Sequence, residues 1–323
     1  MSGPPFLDAA AIVGAVSIHE LVDAVDAAFR DVASGVDRSP LRTHVPLEHG
    51  DLLLMPGVRE GATGASVKLV TVMPGNAARG RPTVQAVICW FDAVTGEPLA
   101  LLDGPTVTAM RTGAASGAAT RLLARQDAAT LTVIGAGAQA EWQVRAVLAV
   151  RPLERVLVCA RTDASRDRLA DRIGSVTGVE SRAMADVEAA VRAADVVCCA
   201  TTSETPVFDA AWLRPGTHVN GIGAFRLGMV ELPPELFAAA APITVDSRVA
   251  AMAEAGDVVA AVERGLCSES DLVEIGTLEA EWATTRDPQA ITAFKSVGLA
   301  VQDVAAAEVI VARLLAGGPQ VGE

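Results

Sequence analysis

Ten residues, Leu131-Thr-Val-Ile134-Gly135-Ala-Gly137-Ala-Gln-Ala140, constrain this chain more than any others. An apolar run leads into G-x-G-x-x-A and then into a helical stretch, Glu141–Val150. Gly135 permits a tight turn after a strand, Gly137 lets the backbone approach a pyrophosphate, and Ala140 lets the helix sit close to the strand. The helix N-terminus then faces the phosphates. Such a segment needs a strand–turn–helix setting, and the chain from Ala129 onward repeats that rhythm. Strands are expected over Thr130–Ile134, Arg155–Ala160, Glu180–Ala183, Val196–Ala200, Thr217–Ile222, Ile243–Asp246 and Ile291–Lys295. Helices are expected over Glu141–Val150, Ser165–Ile173 and Val187–Ala194. Alternating strands and helices build a parallel α/β sheet with helices on both faces.

The first hundred residues read differently. Residues 4–35 suggest a turn and then an amphipathic helix, with Ser17 and Glu20 at capping-box spacing and Leu21, Val25 and Phe29 on one face. Arg42–Leu54, Gly64–Met73, Thr83–Phe91 and Pro98–Leu102 read as strands, with a turn at Asp92–Gly96. Thr106–Ala124 is helical in character, and the last helix, Leu299–Leu315, is free to pack back on this region. The expected fold is therefore α/β. A Rossmann-type doubly wound parallel sheet occupies 116–299, and an α+β domain over 1–115 is completed by the C-terminal helix at about 300–323.

Composition narrows the function. Asp plus Glu is 39 against 26 for Lys plus Arg, a formal net charge of −13, which repels phosphate backbones and argues against nucleic acid as a partner. Mean hydropathy is +0.36. Yet the longest stretch without Asp, Glu, Lys or Arg is the 13 residues Ala128–Ala140, and a spanning helix needs about 20. No membrane segment is expected, and Met1–Leu7 show no secretory signal. Cys89, Cys159, Cys198, Cys199 and Cys267 form no CxxC pair and read as buried reduced thiols of a cytoplasmic protein. Four histidines without HExxH give no expected metal site, and the absence of Tyr excludes reductases that rely on a Tyr general acid.

The end of the second expected strand bears on the cofactor. Binders of NAD usually place Asp or Glu there for the ribose hydroxyls. This chain has Ala160-Arg161-Thr162, with Arg166 and Arg168 close by. Arg161, Thr162 and Arg166 are candidate contacts for a 2′-phosphate, so NADP(H) is expected to be preferred, with NAD(H) also usable. The other reading of Arg161 is a solvated strand end.

Several separated motifs recur together: Thr63-Gly-Ala-Ser-Val-Lys68-Leu-Val70, Pro82-Thr83-Val-Gln85, Met110-Arg111-Thr-Gly-Ala-Ala115, the Gly135–Ala140 loop, and Lys295-Ser296-Val-Gly298-Leu-Ala-Val-Gln-Asp303. In this set the chain resembles the ornithine cyclodeaminase/mu-crystallin family over nearly its whole length. The resemblance implies a homodimer whose N-terminal domain makes the dimer and the substrate pocket, while the Rossmann domain holds the dinucleotide. By matching motifs, Arg42, Lys68 and Arg111 resemble the family's substrate-carboxylate and catalytic residues. Thr83, Arg111, Ala138, Gln139, Thr201, Gly223 and Ser296 join Gly135 and Gly137 as cofactor contacts. Read on its own, Lys68 is either a partly desolvated proton-transfer group or a snorkelling strand lysine. Arg111 is either a carboxylate fork or an ion-pair partner along its own helix.

One segment departs from the family pattern. The resemblance implies that members which cyclise ornithine carry an Asp after the fifth Rossmann strand. Here the segment is Gly221-Ile-Gly223-Ala224-Phe225-Arg226-Leu-Gly-Met229-Val-Glu231-Leu232, with Phe225 in that place. Phe transfers no proton, so Phe225 is expected to line the substrate pocket. The expected activity is NAD(P)H-dependent reduction of α-imino acids, with an imino, amino or 2-oxo acid as substrate. The alternatives are ornithine cyclodeamination with bound NAD and non-catalytic ligand binding in the mu-crystallin manner.

Overall fold

Alternation explains the first sheet. Along Gly64–Val72 every second side chain from Gly64 to Val70 is buried, the period of a strand with one covered face. In the computed structural model, which describes residues 3–37 and 39–315, the chain divides into two units, Met1–Arg111 with Leu299–Glu323, and Thr112–Gly298. Residues 316–323 of the expected C-terminal segment lie outside the described residues.

The first unit holds β1 (Phe6–Leu7), α1 (Ala9–Ala15), α2 (Ile18–Ser34), β2 (Thr43–Leu47), β3 (Gly50–Val58), β4 (Gly64–Val72), β5 (Val84–Asp92) and β6 (Pro98–Asp103). Helix α3 (Gly104–Leu123) follows, and the division between the units falls within it. The sheet order is β1-β6-β5-β4-β3-β2, antiparallel except for β1 beside β6. The Ser17–Glu20 capping box forms at the start of α2, and Gly35, at φ +75, ends the helix. Leu21, Val25 and Phe29 are all buried.

Two sequence expectations are corrected here. The turn before α2 contains β1 and α1. The single strand expected over Arg42–Leu54 is a hairpin, reversing at Glu48-His49 with Leu47 opposite Gly50. The reversal uses Glu48 and His49 followed by one glycine, a weak turn signal. Pro56 lies beyond the reach of β2, where β3 has a neighbour on one side only.

The second unit holds β7 (Thr130–Ile134), α4 (Ala140–Val150), β8 (Arg155–Cys159), α5 (Asp163–Thr177), β9 (Glu180–Ala183), α6 (Val187–Ala193), β10 (Val196–Cys199) and β11 (His218–Gly221). It continues with α7 (Glu235–Ala239), β12 (Ala240–Val245), α8 (Arg248–Glu254), α9 (Gly256–Glu263), β13 (Leu272–Glu274), α10 (Trp282–Thr285) and β14 (Ile291–Lys295). All eight strands are parallel, in the order β13-β12-β14-β11-β10-β7-β8-β9. From β7 the chain runs outward to β9, then returns to the other side of β7 at β10. With right-handed crossovers this is the doubly wound Rossmann-type arrangement, and β7 and β10 flank its switch point. Val133, Val144, Val147, Val156, Val158 and Ile173 form part of the core under α4 and α5.

Helix α11 (Ala300–Leu315) returns to the first unit. It packs on β3 and β4 through Leu53, Met55, Val70 and Ala300, and on α2 through Ala28, Val301 and Ala305. Gly57 permits this approach, because a Cβ there would stand 2.8 Å from Val304 Cγ2 and 3.0 Å from the Ala300 carbonyl. Among the described residues no helix is long and apolar enough to cross a membrane. All five cysteines are free. Cys89 and Cys267 are only partly buried, since Cys89 points away from the face of β5 that holds Ile88 and Trp90.

A polar network lies inside the second unit. His218 Nε2 is 3.1 Å from Asn220 Oδ1 and Nδ1 is 2.9 Å from Thr292 Oγ1, while Asn220 Nδ2 donates to Thr120 Oγ1 at 3.0 Å. Burial pulls His218 down to about 3, with the charges of Arg286 and Arg151 acting in the same direction. An unfolded chain regains the usual histidine value near 6.5 and binds a proton that the folded chain does not. Stability attributable to His218 therefore falls as pH drops from about 6.5 toward 3, by about 1.4 kcal/mol per pH unit at most. Urea unfolding of His218→Gln between pH 6 and 4.5 is expected to show a shallower loss of stability than the parent, and equal slopes would refute the assignment.

Candidate active site

Lys68 occupies the centre of β4, on the same face as Gly64, Ser66 and Val70. That face is the one α11 covers, and the Lys68 side chain is only 2% exposed. The snorkelling reading fails on this point. Lys68 and Lys295 are the only lysines in the chain, against 24 arginines, and both are buried.

Burial demands a counter-charge, and α11 supplies it. Asp303, itself fully buried, places Oδ2 2.7 Å from Lys68 Nζ and accepts at Oδ1 from Arg111 Nε at 3.0 Å. Arg111 Nη1 donates to Gln302 Oε1 at 2.5 Å. Arg111 is thus paired across to α11 and not along its own helix. Desolvation pulls Lys68 down to about 7 against the attraction of Asp303, with the charges of Arg111 and Arg42 lowering it further. Arg42, half-buried just ahead of β2, belongs to the same electrostatic neighbourhood. Lys68, Arg111 and Arg42 are therefore brought together. Two arginine forks and one ammonium poised near neutrality suit an anion with an ionisable nitrogen beside it. Thr83 also belongs to this unit, where its carbonyl accepts from the Met73 amide at 2.8 Å.

In the second unit the glycine loop leaves the end of β7. Gly135 has φ +113, and a Cβ there would stand 2.5 Å from the Ala200 carbonyl. At Gly137 a Cβ would meet nothing within 4 Å, and Gly137 and Ala138 are exposed. Gln139 precedes α4 without a side-chain cap, and its buried Oε1 has no partner. An open glycine and an uncapped helix start, whose free N–H groups can donate to anionic oxygens, fit a dinucleotide pyrophosphate at the switch point.

The neighbouring strand ends are pinned by acids. Glu231, fully buried, accepts from the Thr201 amide and, at 2.8 Å, from the Gly223 amide. It thereby ties the loop after β10 to the loop after β11. Gly223 is required, because a Cβ would lie 2.0 Å from the Thr201 carbonyl. Burial raises the Glu231 carboxyl, opposed by the Lys295 charge and the two amides. Asp246 accepts from Ser296 Oγ at 2.7 Å and from the Val297 and Gly298 amides, so Ser296 is oriented from behind. Lys295 Nζ lies 3.2 Å from Asp257 and donates to the Ala224 carbonyl at 2.7 Å, which fixes the residue before Phe225. Phe225 is half-buried and Met229 is buried.

At the end of β8, Arg161 is exposed and makes no hydrogen bond or ion pair among the described residues. Thr162 caps α5, accepting from the Ser165 amide. Arg166 is engaged otherwise, pairing with Asp163 and donating to the Ala160 carbonyl. Among the described residues no group of His, Cys, Asp and Glu is placed to hold a metal ion.

The chain is similar to known proteins over nearly its whole length. The model of the ornithine cyclodeaminase/mu-crystallin family matches residues 4–318. The chain belongs to that family. A Δ1-pyrroline-2-carboxylate reductase of Bacillus cereus is 38% identical over 312 residues, covering 95% of both chains. Among solved structures, the Thermococcus litoralis Δ1-pyrroline-2-carboxylate reductase in complex with NADH and L-proline is 33% identical, with a TM-score of 0.90 over 98% of this chain and 99% of that one. An archaeal alanine dehydrogenase dimer with bound NAD is 32% identical, with a TM-score of 0.87 over 98% and 97%.

In this family member the buried acids escape a reading of sequence. Glu231, Asp246 and Asp257 each look like one of 39 acidic residues on an acidic chain, and Asp303, although it ends the Lys295–Asp303 motif, shows no sign there of the cations it meets. The signal that could have found them is lysine scarcity, since two buried lysines need two buried carboxylates. Glu231→Ala leaves the Thr201 and Gly223 amides without their acceptor, and each buried orphan costs about 1–3 kcal/mol. Urea unfolding is expected to show a loss of about 3 kcal/mol, with Glu231→Gln milder because one acceptor survives. A change within about 0.5 kcal/mol in the alanine variant, the range of an ordinary surface substitution, would contradict this role.

Proposed function

We propose that this protein is an NAD(P)H-dependent reductase of small α-imino acids, with Δ1-pyrroline-2-carboxylate as the representative substrate, acting as a homodimer. The observation that carries the reading is the buried Lys68–Asp303–Arg111 group in one unit of a chain whose other unit holds a Rossmann-type phosphate cradle. The named activities of the Bacillus cereus and Thermococcus litoralis relatives support it, and the alanine dehydrogenase dimer supports the assembly.

In this reading Arg111 and Arg42 bind the substrate carboxylate, the arginine forks matching its two oxygens. A reduced nicotinamide, when bound, supplies a hydride to the imine carbon. Lys68 holds the proton destined for the imine nitrogen. An ammonium at about 7 gives up that proton more readily than one at lysine's usual 10.5, which suits a general acid working near neutral pH. Phe225 offers a half-buried ring and no titratable atom, which favours reduction over cyclodeamination. Gly135, Gly137, Ala138, Gln139, Thr201, Gly223 and Ser296 form the dinucleotide side, and Thr83 joins them by the family pattern.

The preference for NADPH rests on Arg161, an exposed guanidinium without a partner among the described residues, at the place where an acidic residue would meet a ribose 2′-hydroxyl. Arg166 contributes less directly, being tied to Asp163. Two measurements test the proposal. NADPH oxidation with Δ1-pyrroline-2-carboxylate is expected for the wild type, and Lys68→Ala is expected to lower kcat/KM by about 100-fold or more. Wild-type protein that binds NADPH without consuming it would refute the reductase reading. Separately, Arg161→Asp is expected to move the NADPH/NADH ratio of kcat/KM at least about tenfold toward NADH, equivalent to one lost charge contact of roughly 1.4 kcal/mol. An unchanged ratio would remove Arg161 from the cofactor site.

A further inference from the structure

Asp303 stands where no single-residue argument would put it. It sits in the first turn of α11, fully buried, with one oxygen on each of the two cations assigned above to proton delivery and carboxylate binding. Lys68 comes from β4 and Arg111 from α3, so two elements far apart in sequence meet on one carboxylate. The helix that carries it is locked from several sides. Gly57 admits its close approach, Glu308 accepts from the Thr63 amide at 2.7 Å, Arg313 pairs with Glu20, and Val301 and Ala305 pack on α2. Gln302, one residue earlier, holds the far side of the Arg111 guanidinium.

We propose that Asp303 is a positioning residue for the reaction, its two carboxylate oxygens fixing the Lys68 ammonium and the Arg111 guanidinium relative to one another. A carboxylate bound at Arg111 then has an ammonium at a set distance, where the imine nitrogen next to that carboxylate must lie. Two neutral side chains, Met55 of β3 and Ile88 of β5, stand opposite Lys68 in register. The charged groups that face it are Asp303 from α11, Arg111 from α3 and Arg42 ahead of β2. Of these three, Asp303 alone favours the ammonium, while both arginines oppose it. Removing its charge therefore loosens the geometry and releases the Lys68 proton at lower pH. The role of Asp303 in turnover rests on the reductase reading, but its hold on Lys68 does not.

That separation shapes the test. Because the chain has only two lysines, 13Cε-labelled lysine gives two side-chain signals in the full-length protein, assigned with Lys68→Met. Following them with pH in wild type and Asp303→Asn reads Lys68 directly. The wild-type midpoint near 7 is expected to fall by one pH unit or more in Asp303→Asn. With Δ1-pyrroline-2-carboxylate, kcat is expected to drop at least tenfold and the alkaline limb of the profile to move down by the same interval. KM for NADPH is expected to stay within about threefold. An unmoved Lys68 midpoint overturns the proposal even if activity is lost, because the loss is then merely structural. Should Asp303→Asn fail to fold, Asp303→Glu serves in its place. It keeps the charge and shifts it by one methylene, so it is expected to hold the Lys68 midpoint within half a pH unit while lowering kcat, and full wild-type kcat overturns the positioning role. If wild type does not reduce the imine at all, the functional reading fails while the titration still decides whether Asp303 governs Lys68.

Discussion

Moving an ammonium from water into a protein interior costs several kcal/mol unless a carboxylate meets it there with good geometry. This chain does so twice and with every lysine it has. Lys68 meets Asp303 in one unit and Lys295 meets Asp257 in the other. A surface built from arginine leaves lysine for places where a compact, titratable charge is wanted, and the two amines differ in use. Lys68 shares its acid with a second cation, which leaves the trio with one excess positive charge. Lys295 has its own acid, and it also donates to the Ala224 carbonyl. The first arrangement is short of one anion. The second is complete within the protein, which marks it as scaffold.

The same distinction orders the carboxylates of the second unit. Glu231 and Asp246 are fully buried or nearly so, and each accepts from backbone amides at the carboxyl ends of parallel strands. Loops at those ends must carry the ligand in a doubly wound sheet, yet they lack the ladder that fixes strands. A buried carboxylate with two or more amide donors replaces the ladder locally. Gly223, with no room for a Cβ, shows how tightly the two loop backbones are drawn together around Glu231. At these loop ends, charge-assisted hydrogen bonds add to the apolar packing beneath the sheet.

Much of this is legible in the sequence, and the boundary of legibility has a physical cause. The Gly135–Ala140 loop and the helix capped by Ser17 and Glu20 are local signals, decided by residues within a few positions of one another. The hairpin at Glu48-His49 escapes because its turn carries no Asn-Gly or Asp-Gly pair, so two strands read as one. Strands β12 and β13 with helices α7 to α10 are short, and their order in the sheet, with β14 inserted between β11 and β12, has no local correlate. Lys68, Arg111 and Asp303 all lie in motifs, but that one carboxylate joins the two cations is written in none of them. Asp303 is 235 positions from Lys68 and 192 from Arg111, so the Lys295–Asp303 motif that ends on it does not reveal which cations it meets.

Sequence pattern and burial meet again at residue 225. Lys295 fixes the Ala224 carbonyl, so the backbone that carries the following side chain is held in place. Whatever stands there is presented at a set position, and the chain presents a phenyl ring. A ring neither accepts a proton nor stabilises a second ammonium, so if the substrate meets it, as the proposed function has it, a free terminal amine would lose solvation without recovering a partner. A ring does favour an apolar body, as a cyclic imine offers. Under the proposed function, that balance of solvation at residue 225 is the physical ground for placing reduction ahead of cyclodeamination.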